Sequence, residues 1–238
     1  MKLYNEISKY YDILFPLNFD TLNFLNNNLK GKVLDLGCGT GLYAKNLDNK
    51  FTSVTAIDID YNMIQSIKES KNSNVNAICC NIKTIDEVFQ NEKFDSIYCI
   101  GNTLVHLEDL NSINDLFSKI YNLLTQEGML IIQIINYDRI IKSSISKLPK
   151  IEDKDNELVF ERNYEYNKNT NRISFITTLK VSNKELHNQT ILIPLMSEEL
   201  TELLINNGFD VKSKFGNFNE QEFNENSYHL IIKAKKKS

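Results

Sequence analysis

The chain has 238 residues, which at roughly 150 residues per average domain suits one large α/β domain as well as two small ones. Apolar residues at 42% and charged residues at 24% exclude disorder, collagen and coiled coil as descriptions of the whole, and 27 basic against 31 acidic residues, a net charge of −4, argue against a dedicated nucleic-acid binder. Met1 to Asp12 carries Lys2, Glu6 and Lys9 and no apolar run, and the longest such run, Met129 to Ile135, is short and broken by Gln133, so neither a signal peptide nor a membrane span is expected and the chain reads as cytoplasmic.

Leu22, Leu25 and Leu29 recur at helical spacing ahead of Gly31, a helix with a glycine just past its end. Val33 to Leu36 follows as a short apolar strand containing Asp35, running into Gly37-Cys38-Gly39-Thr40-Gly41, with a helix from Leu42 to Leu47. Phe51 to Ile59 reads as a second strand, Met63 to Lys68 as helix, Val75 to Cys80 as a third strand and Phe94 to Ile100 as a fourth. Leu110 to Leu124 is an amphipathic helix, and Gly128 introduces a fifth strand, Met129 to Ile135. Strand and helix in alternation imply a parallel sheet.

From Glu157 the pattern changes to a meander, with strands at Glu157 to Tyr166, Arg172 to Val181 and Leu186 to Pro194. Ser197 is expected to cap a helix through Asn207, and Phe209 to Phe215 and Tyr228 to Ala234 close the chain as an antiparallel edge. The fold class is therefore α/β, a Rossmann-like, doubly wound, mostly parallel seven-stranded sheet with an inserted antiparallel β meander. We read residues 1–238 as one domain whose core is 20–140 and 195–238, with 145–194 covering a substrate site. The terminal lysines from Lys233 read as a solvated tail.

The chemistry concentrates after the strands. Glycine in the first turn permits tight turning and close approach of a ligand to the main chain, and the helix that follows offers free N–H groups. Asp58 ends the second strand, where a carboxylate accepts from both hydroxyls of a ribose, which implies an adenosine-containing cofactor. Gly39-Thr40-Gly41-Leu42-Tyr43-Ala44 also fits the relaxed dinucleotide pattern, so NAD is a rival. Asp35 ahead of the turn tells against it, because a carboxylate repels a pyrophosphate and suits a cationic ligand. Cys38, Cys79, Cys80 and Cys99 show no C-x-x-C spacing and His106, His187 and His229 lie far apart, so no metal is expected and the thiols read as free.

Val33 to Gly41 resembles the first motif of class I S-adenosylmethionine-dependent methyltransferases. That resemblance implies S-adenosyl-L-methionine as cofactor, with Asp35, Gly37, Gly39 and Gly41 at its methionine moiety, Asp58 at the ribose, Met63 at the adenine face, and Ile59 among the cofactor contacts. Asn81 and Ile82 match the position where the family often has an acid near the adenine amino group, and Asn81 equally suits a plain turn. Cys99 to Leu107, with Gly101 and Asn102, and Asn136-Tyr137-Asp138 are similar to stretches that border the active site of glycine N-methyltransferase and related small-molecule enzymes. Tyr4, Tyr10 and Tyr11-Asp12 are similar to an aromatic segment that folds over the cofactor in such enzymes, or pack as an ordinary helix.

Prolines occur only at Pro16, Pro149 and Pro194, so the Pro-Pro-aromatic and Pro-Cys signatures of base methyltransferases are missing. The expected function is in-line transfer of a methyl group to a small-molecule acceptor, an amine or a hydroxyl, with His106 and Tyr137 as the catalytic candidates. Arg162 and Arg172 in the meander suit recognition of a carboxylate, or face solvent. The rival readings are a cofactor-binding protein without transferase activity and an NAD-dependent oxidoreductase; a homodimer is compatible with each.

Overall fold

A computed structural model describes residues 8–47, 49–70 and 74–237. The first strand, β1 (Lys32–Leu36), is nearly all buried because it lies inside the main sheet, parallel to β2 (Ser53–Asp58) on one side and to β4 (Phe94–Cys99) on the other. With β3 (Val75–Cys79), β5 (Leu124–Ile135), β10 (Phe209–Phe215) and β11 (His229–Lys236) the sheet has seven strands in the order β10-β11-β5-β4-β1-β2-β3. Only β11 runs against its neighbours, pairing antiparallel with both β5 and β10, so β10 is the outer strand of the closing pair. Between them, β6 (Ile151–Asp153), β7 (Leu158–Asn167), β8 (Arg172–Val181) and β9 (Lys184–Leu192) form a separate antiparallel sheet in sequence order.

Helices cover both faces of the main sheet. They are α1 (Tyr11–Leu14), α2 (Phe19–Asn28), α3 (Leu42–Asn46), α4 (Tyr61–Lys68), α5 (Ile85–Val88), α6 (Leu110–Leu123), α7 (Tyr137–Lys142) and α8 (Ser197–Asn206). Strand residues alternate between two cores: Leu34, Ile97, Ile132 and Leu230 pack under α6 and α8, while Val33, Tyr98, Ile131 and Ile231 pack under α2. Asp35 and Tyr98 are cross-strand partners on the second face.

Several expected boundaries shift for identifiable reasons. β5 begins at Leu124 and passes through Glu127 at φ 60°, a left-handed irregularity that the count of apolar residues from Met129 does not register. Ser197 is not the cap of α8 but its first residue, and the cap is tertiary: the Asp138 carboxylate accepts from Ser197 N at 2.9 Å. The short α7 was not anticipated. It starts because the Asn136 side chain accepts from Arg139 N at 3.2 Å, while the Asn136 amide donates to carbonyls of the loop before β11.

Candidate functional site

The glycine turn sits at the carboxyl end of β1, the edge where a parallel sheet offers its ligand crevice. Gly37 N and Cys38 N both donate to Ile57 O at 2.9 Å, drawing the turn against β2. Gly37 adopts φ +76°, and a Cβ there would lie 2.4 Å from Thr103 Cγ2, so no other residue fits between the turn and the segment after β4. At Gly39 a Cβ would come within 3.2 Å of the Tyr11 ring, which places that ring directly over the turn. Thr40 Oγ1 donates to Asp12 Oδ1 at 2.5 Å and holds α1 there.

Above the turn lies a cavity of about 590 Å³. Its floor is Gly37, Gly39 and Gly101, and its walls include Tyr11, Asp58, Ile59, Met63, Asn81, Ile82 and His106. Both Asp58 oxygens are oriented by backbone: Gly39 N donates to Oδ2 and Asp60 N to Oδ1, each at 2.9 Å. Burial raises the Asp58 pKa, and these two N–H groups oppose the rise. Asp60, unassigned by sequence, caps α4 through Asn62 N and Met63 N, which fixes buried Met63 in the wall. Ile59 is 66% exposed and Tyr61 63%, an apolar face open at the end of β2, as a flat heterocycle would require.

The other expected residues fall into two groups. Asn81 lines the cavity, but its amide oxygen accepts from Lys83 N at 2.9 Å and caps the turn after β3. His106 stands in the wall at the end of the 3-10 turn Thr103–His106, solvent-accessible at its edge, and partial desolvation of its ring lowers its pKa, so the neutral form prevails at pH 7. Asp35, Gly41, Asn102 and Tyr137 are not brought to the cavity surface. Asp35 is 3% exposed and accepts from Tyr98 Oη at 2.8 Å; burial pushes its pKa up to about 8, with Tyr98 opposing and Asp58 adding. Gly41 ends the turn at φ +69°, where a Cβ would strike Ile67 at 2.6 Å.

Asn102, left-handed at φ 67°, accepts from Ile135 N at 3.0 Å, and its Nδ2 donates to Tyr137 Oη at 3.0 Å, joining the ends of β4 and β5. Tyr137, expected at the pocket, is fully buried in the core with Tyr164 beside its hydroxyl, because α7 turns it inward. Behind Gly101 runs a polar relay: Gly101 N donates to Gln133 Oε1 at 2.7 Å, and Gln133 Nε2 meets His229 Nδ1 at 3.0 Å. Burial lowers the His229 pKa to about 4, so the ring is neutral. Tyr4 lies outside the described residues.

Sequence reasoning missed Lys83 and Glu108. They face each other across the rim, Lys83 Nζ donating to both Glu108 oxygens at 2.9 Å. Lys83 follows the end of β3 by four residues, and that position was the available signal; Glu108 comes only after the turn Thr103–His106 that follows β4. Arg172 Nη2 donates to Glu108 O at 3.2 Å and ties the antiparallel sheet to this rim. The residues present suit a cationic nucleoside: a buried acid near neutrality, glycine N–H groups, a braced carboxylate and an open apolar face.

Residues 33–128 match the model of a family described as a methyltransferase domain. A ubiquinone biosynthesis O-methyltransferase of Glaesserella parasuis is 32% identical over 131 residues, 52% of this chain and 54% of that protein. A glycine/sarcosine N-methyltransferase of Aphanothece halophytica is 26% identical over 113 residues, 46% of this chain and 42% of that protein. The chain spans about half the length of the curated relatives it matches. An S-adenosylmethionine-dependent methyltransferase from Clostridium acetobutylicum has the same fold, with a TM-score of 0.83 at 19% identity over 99% of this chain and 100% of that one.

Proposed function

We propose that this chain, whose residues 33–128 match a methyltransferase domain and whose fold is shared with an S-adenosylmethionine-dependent methyltransferase, is a class I enzyme of that kind and transfers a methyl group to a small-molecule acceptor, an amine or a hydroxyl. The observation that carries the reading is that one cavity combines the glycine turn, the backbone-braced Asp58 and the exposed Ile59. When bound, S-adenosylmethionine supplies a methyl group activated by a sulfonium and open to in-line displacement. Gly37 and Gly39 hold the amino-acid end by main chain, with the buried Asp35 charge behind them; Asp58 holds the ribose hydroxyls; Ile59, Met63 and Ile82 hold the adenine faces. Tyr11 closes the turn against water.

Positioning does most of the work. Holding an acceptor at attack distance in a dry cavity is worth on the order of 7 to 11 kcal/mol, against the roughly 10²- to 10⁴-fold of a general base. His106, neutral and in the wall, accepts the acceptor's proton. Names of relatives that act on oxygen and on nitrogen are compatible with either acceptor atom.

The test is calorimetry and thermal shift with S-adenosylmethionine, S-adenosylhomocysteine and NAD in parallel, followed by labelled-methyl transfer to amines, amino acids and hydroxyl compounds. Ligand at 100 times its dissociation constant adds about 2.7 kcal/mol of stability. We expect the two sulfur nucleosides alone to do so; stabilisation by NAD alone overturns the reading, and binding without transfer to any acceptor reduces the protein to a cofactor binder.

A further inference from the structure

The antiparallel sheet contains a polar row that its own folding does not explain. Residues of one face alternate along β7, and the register aligns Arg162 with Thr177 and Thr177 with Asn188 across three strands. The row below it is apolar: Phe160 and Leu179 pack with Leu14 of α1, and Phe160 meets Phe15 edge-on at 6.1 Å. The row above it holds the Tyr164–Phe175 ring pair, 5.3 Å apart, against the main core. A polar stripe between two apolar stripes departs from binary patterning and marks a function.

Its atoms are also unsatisfied. Thr177 is 3% exposed, and its buried Oγ1 has no hydrogen-bond partner. The Arg162 Nε is likewise buried without a partner, although its Nη2 donates to Pro149 O at 2.8 Å and its guanidinium lies 5.9 Å from the Phe160 ring centre. A hydroxyl and a guanidinium N–H left dry are costly, and native structures tolerate them where a ligand completes the set. Neither Arg162 nor Thr177 lines the cavity in the unliganded chain, but the residues packed on the row connect it to the cavity from two sides. Phe15 packs at a tilt against Tyr11, which lies over Gly39, and Tyr164 touches Tyr137, which binds Asn102 beside Gly101. A Cβ at Gly101 would meet nothing within 4 Å, so that wall has room.

We propose that Arg162 and Thr177, with Asn188 alongside, form the acceptor subsite and bind a carboxylate, so that the methyl acceptor is a carboxylic acid bearing an amine or hydroxyl. One planar monoanion satisfies both orphan groups at once, accepting from Arg162 Nε–H and from Thr177 Oγ–H. The row offers a single cation and neutral donors, which matches a carboxylate better than a phosphate dianion. The inference rests on the methyl-transfer reading for the identity of the bound acid as acceptor.

The test reads Arg162 directly. In the full-length protein loaded with S-adenosylhomocysteine, the Arg162 Nε–H resonance, assigned by its loss in Arg162→Lys, is followed while acetate, glycolate and benzoate are added, with acetamide and benzamide as neutral controls. Carboxylates should shift it and amides should not, and Thr177→Val should weaken the response about tenfold while S-adenosylhomocysteine affinity stays within twofold. A resonance unmoved by every carboxylate, or moved equally by the amides, overturns the subsite even though the cofactor binds. A carboxylate response in a protein that fails to bind either sulfur nucleoside keeps the anion site and sinks the transferase reading instead. In transfer assays, paired amino or hydroxy acids and their amides should differ at least tenfold in kcat/KM, and Arg162→Gln should erase that difference; equal turnover of acid and amide contradicts the proposal.

Discussion

The two sheets of the molecule differ in how complete their polar groups are. On the parallel-sheet side each carboxylate that faces the turn has its donors in place: Asp58 takes Gly39 N and Asp60 N, and Asp35 takes Tyr98 Oη. On the antiparallel side Arg162 Nε and Thr177 Oγ1 are left without partners. A preorganised half that needs no rearrangement to receive a common cofactor, and an unfinished half that only its own ligand completes, is what a transferase with one donor and a selected acceptor requires.

Substitution at the turn breaks the finished half first. Gly37→Ala places a Cβ against Thr103 in a left-handed backbone, combining about 1 to 2 kcal/mol of backbone strain with about 1 to 3 of overpacking. We expect S-adenosylhomocysteine affinity to fall on the order of 10²-fold by calorimetry. Gly101→Ala has the same φ of +76° but meets no atom within 4 Å, so only the strain of about 1 to 2 kcal/mol remains and the loss stays near tenfold. Equal effects at the two glycines contradict the packing account. If Asp58 accepts from two ribose hydroxyls as proposed, each bond being worth about 1.5 to 3 kcal/mol, Asp58→Ala should cost about 10²- to 10⁴-fold in cofactor affinity with acceptor discrimination unchanged.

How much of each half is legible in sequence follows from the same contrast. The turn, Asp58 and Ile59 are local features at strand ends, and a glycine run after an apolar strand exposes them. Gly37, Gly39, Asp58 and Ile59 all line the cavity. Tyr137 misled because the residue after a strand was taken to face the ligand, whereas Asn136 caps a helix that buries it. Asp35 lies one layer deeper than its motif suggests, on the face shared with Tyr98. On the antiparallel side the sequence displays Arg162 but not its partners, since Thr177 and Asn188 join it through the register of three long strands, and a shift of one residue would send them to opposite faces.

Asp35 sharpens the comparison through pH. Its pKa of about 8 in the folded chain exceeds the ordinary 3.8, so the folded state holds a proton that the unfolded chain releases. The stability this contributes is fully present below pH 4, declines as pH rises, and is lost above about 8. The melting temperature of the unliganded protein should therefore fall from pH 5 to 9 relative to Asp35→Asn, and parallel curves would remove the buried proton from the account. A cationic ligand favours the charged carboxylate, so S-adenosylmethionine binding at pH 7 should release up to about one proton, read as a buffer dependence of the calorimetric heat and absent in Asp35→Asn.

The smallest effect separates positioning from proton transfer. His106 is in the cavity wall and neutral, with its pKa already lowered by partial desolvation, so raising the pH above 7 changes nothing about its charge. If orientation supplies most of the rate, His106→Gln keeps a hydrogen-bonding group of similar reach and lowers kcat by less than tenfold, with cofactor affinity unaltered and kcat flat above pH 7. Tyr137→Phe, by contrast, should leave kcat within twofold while costing about 1 to 2 kcal/mol of stability in denaturant titration, because its hydroxyl serves Asn102 and Tyr164 in the core. A loss of 10²-fold or more in kcat at His106 would give its proton transfer the full weight of a general base and move the balance of catalysis from positioning to a single side chain; the same loss at Tyr137 would mean the core opens to the acceptor during turnover.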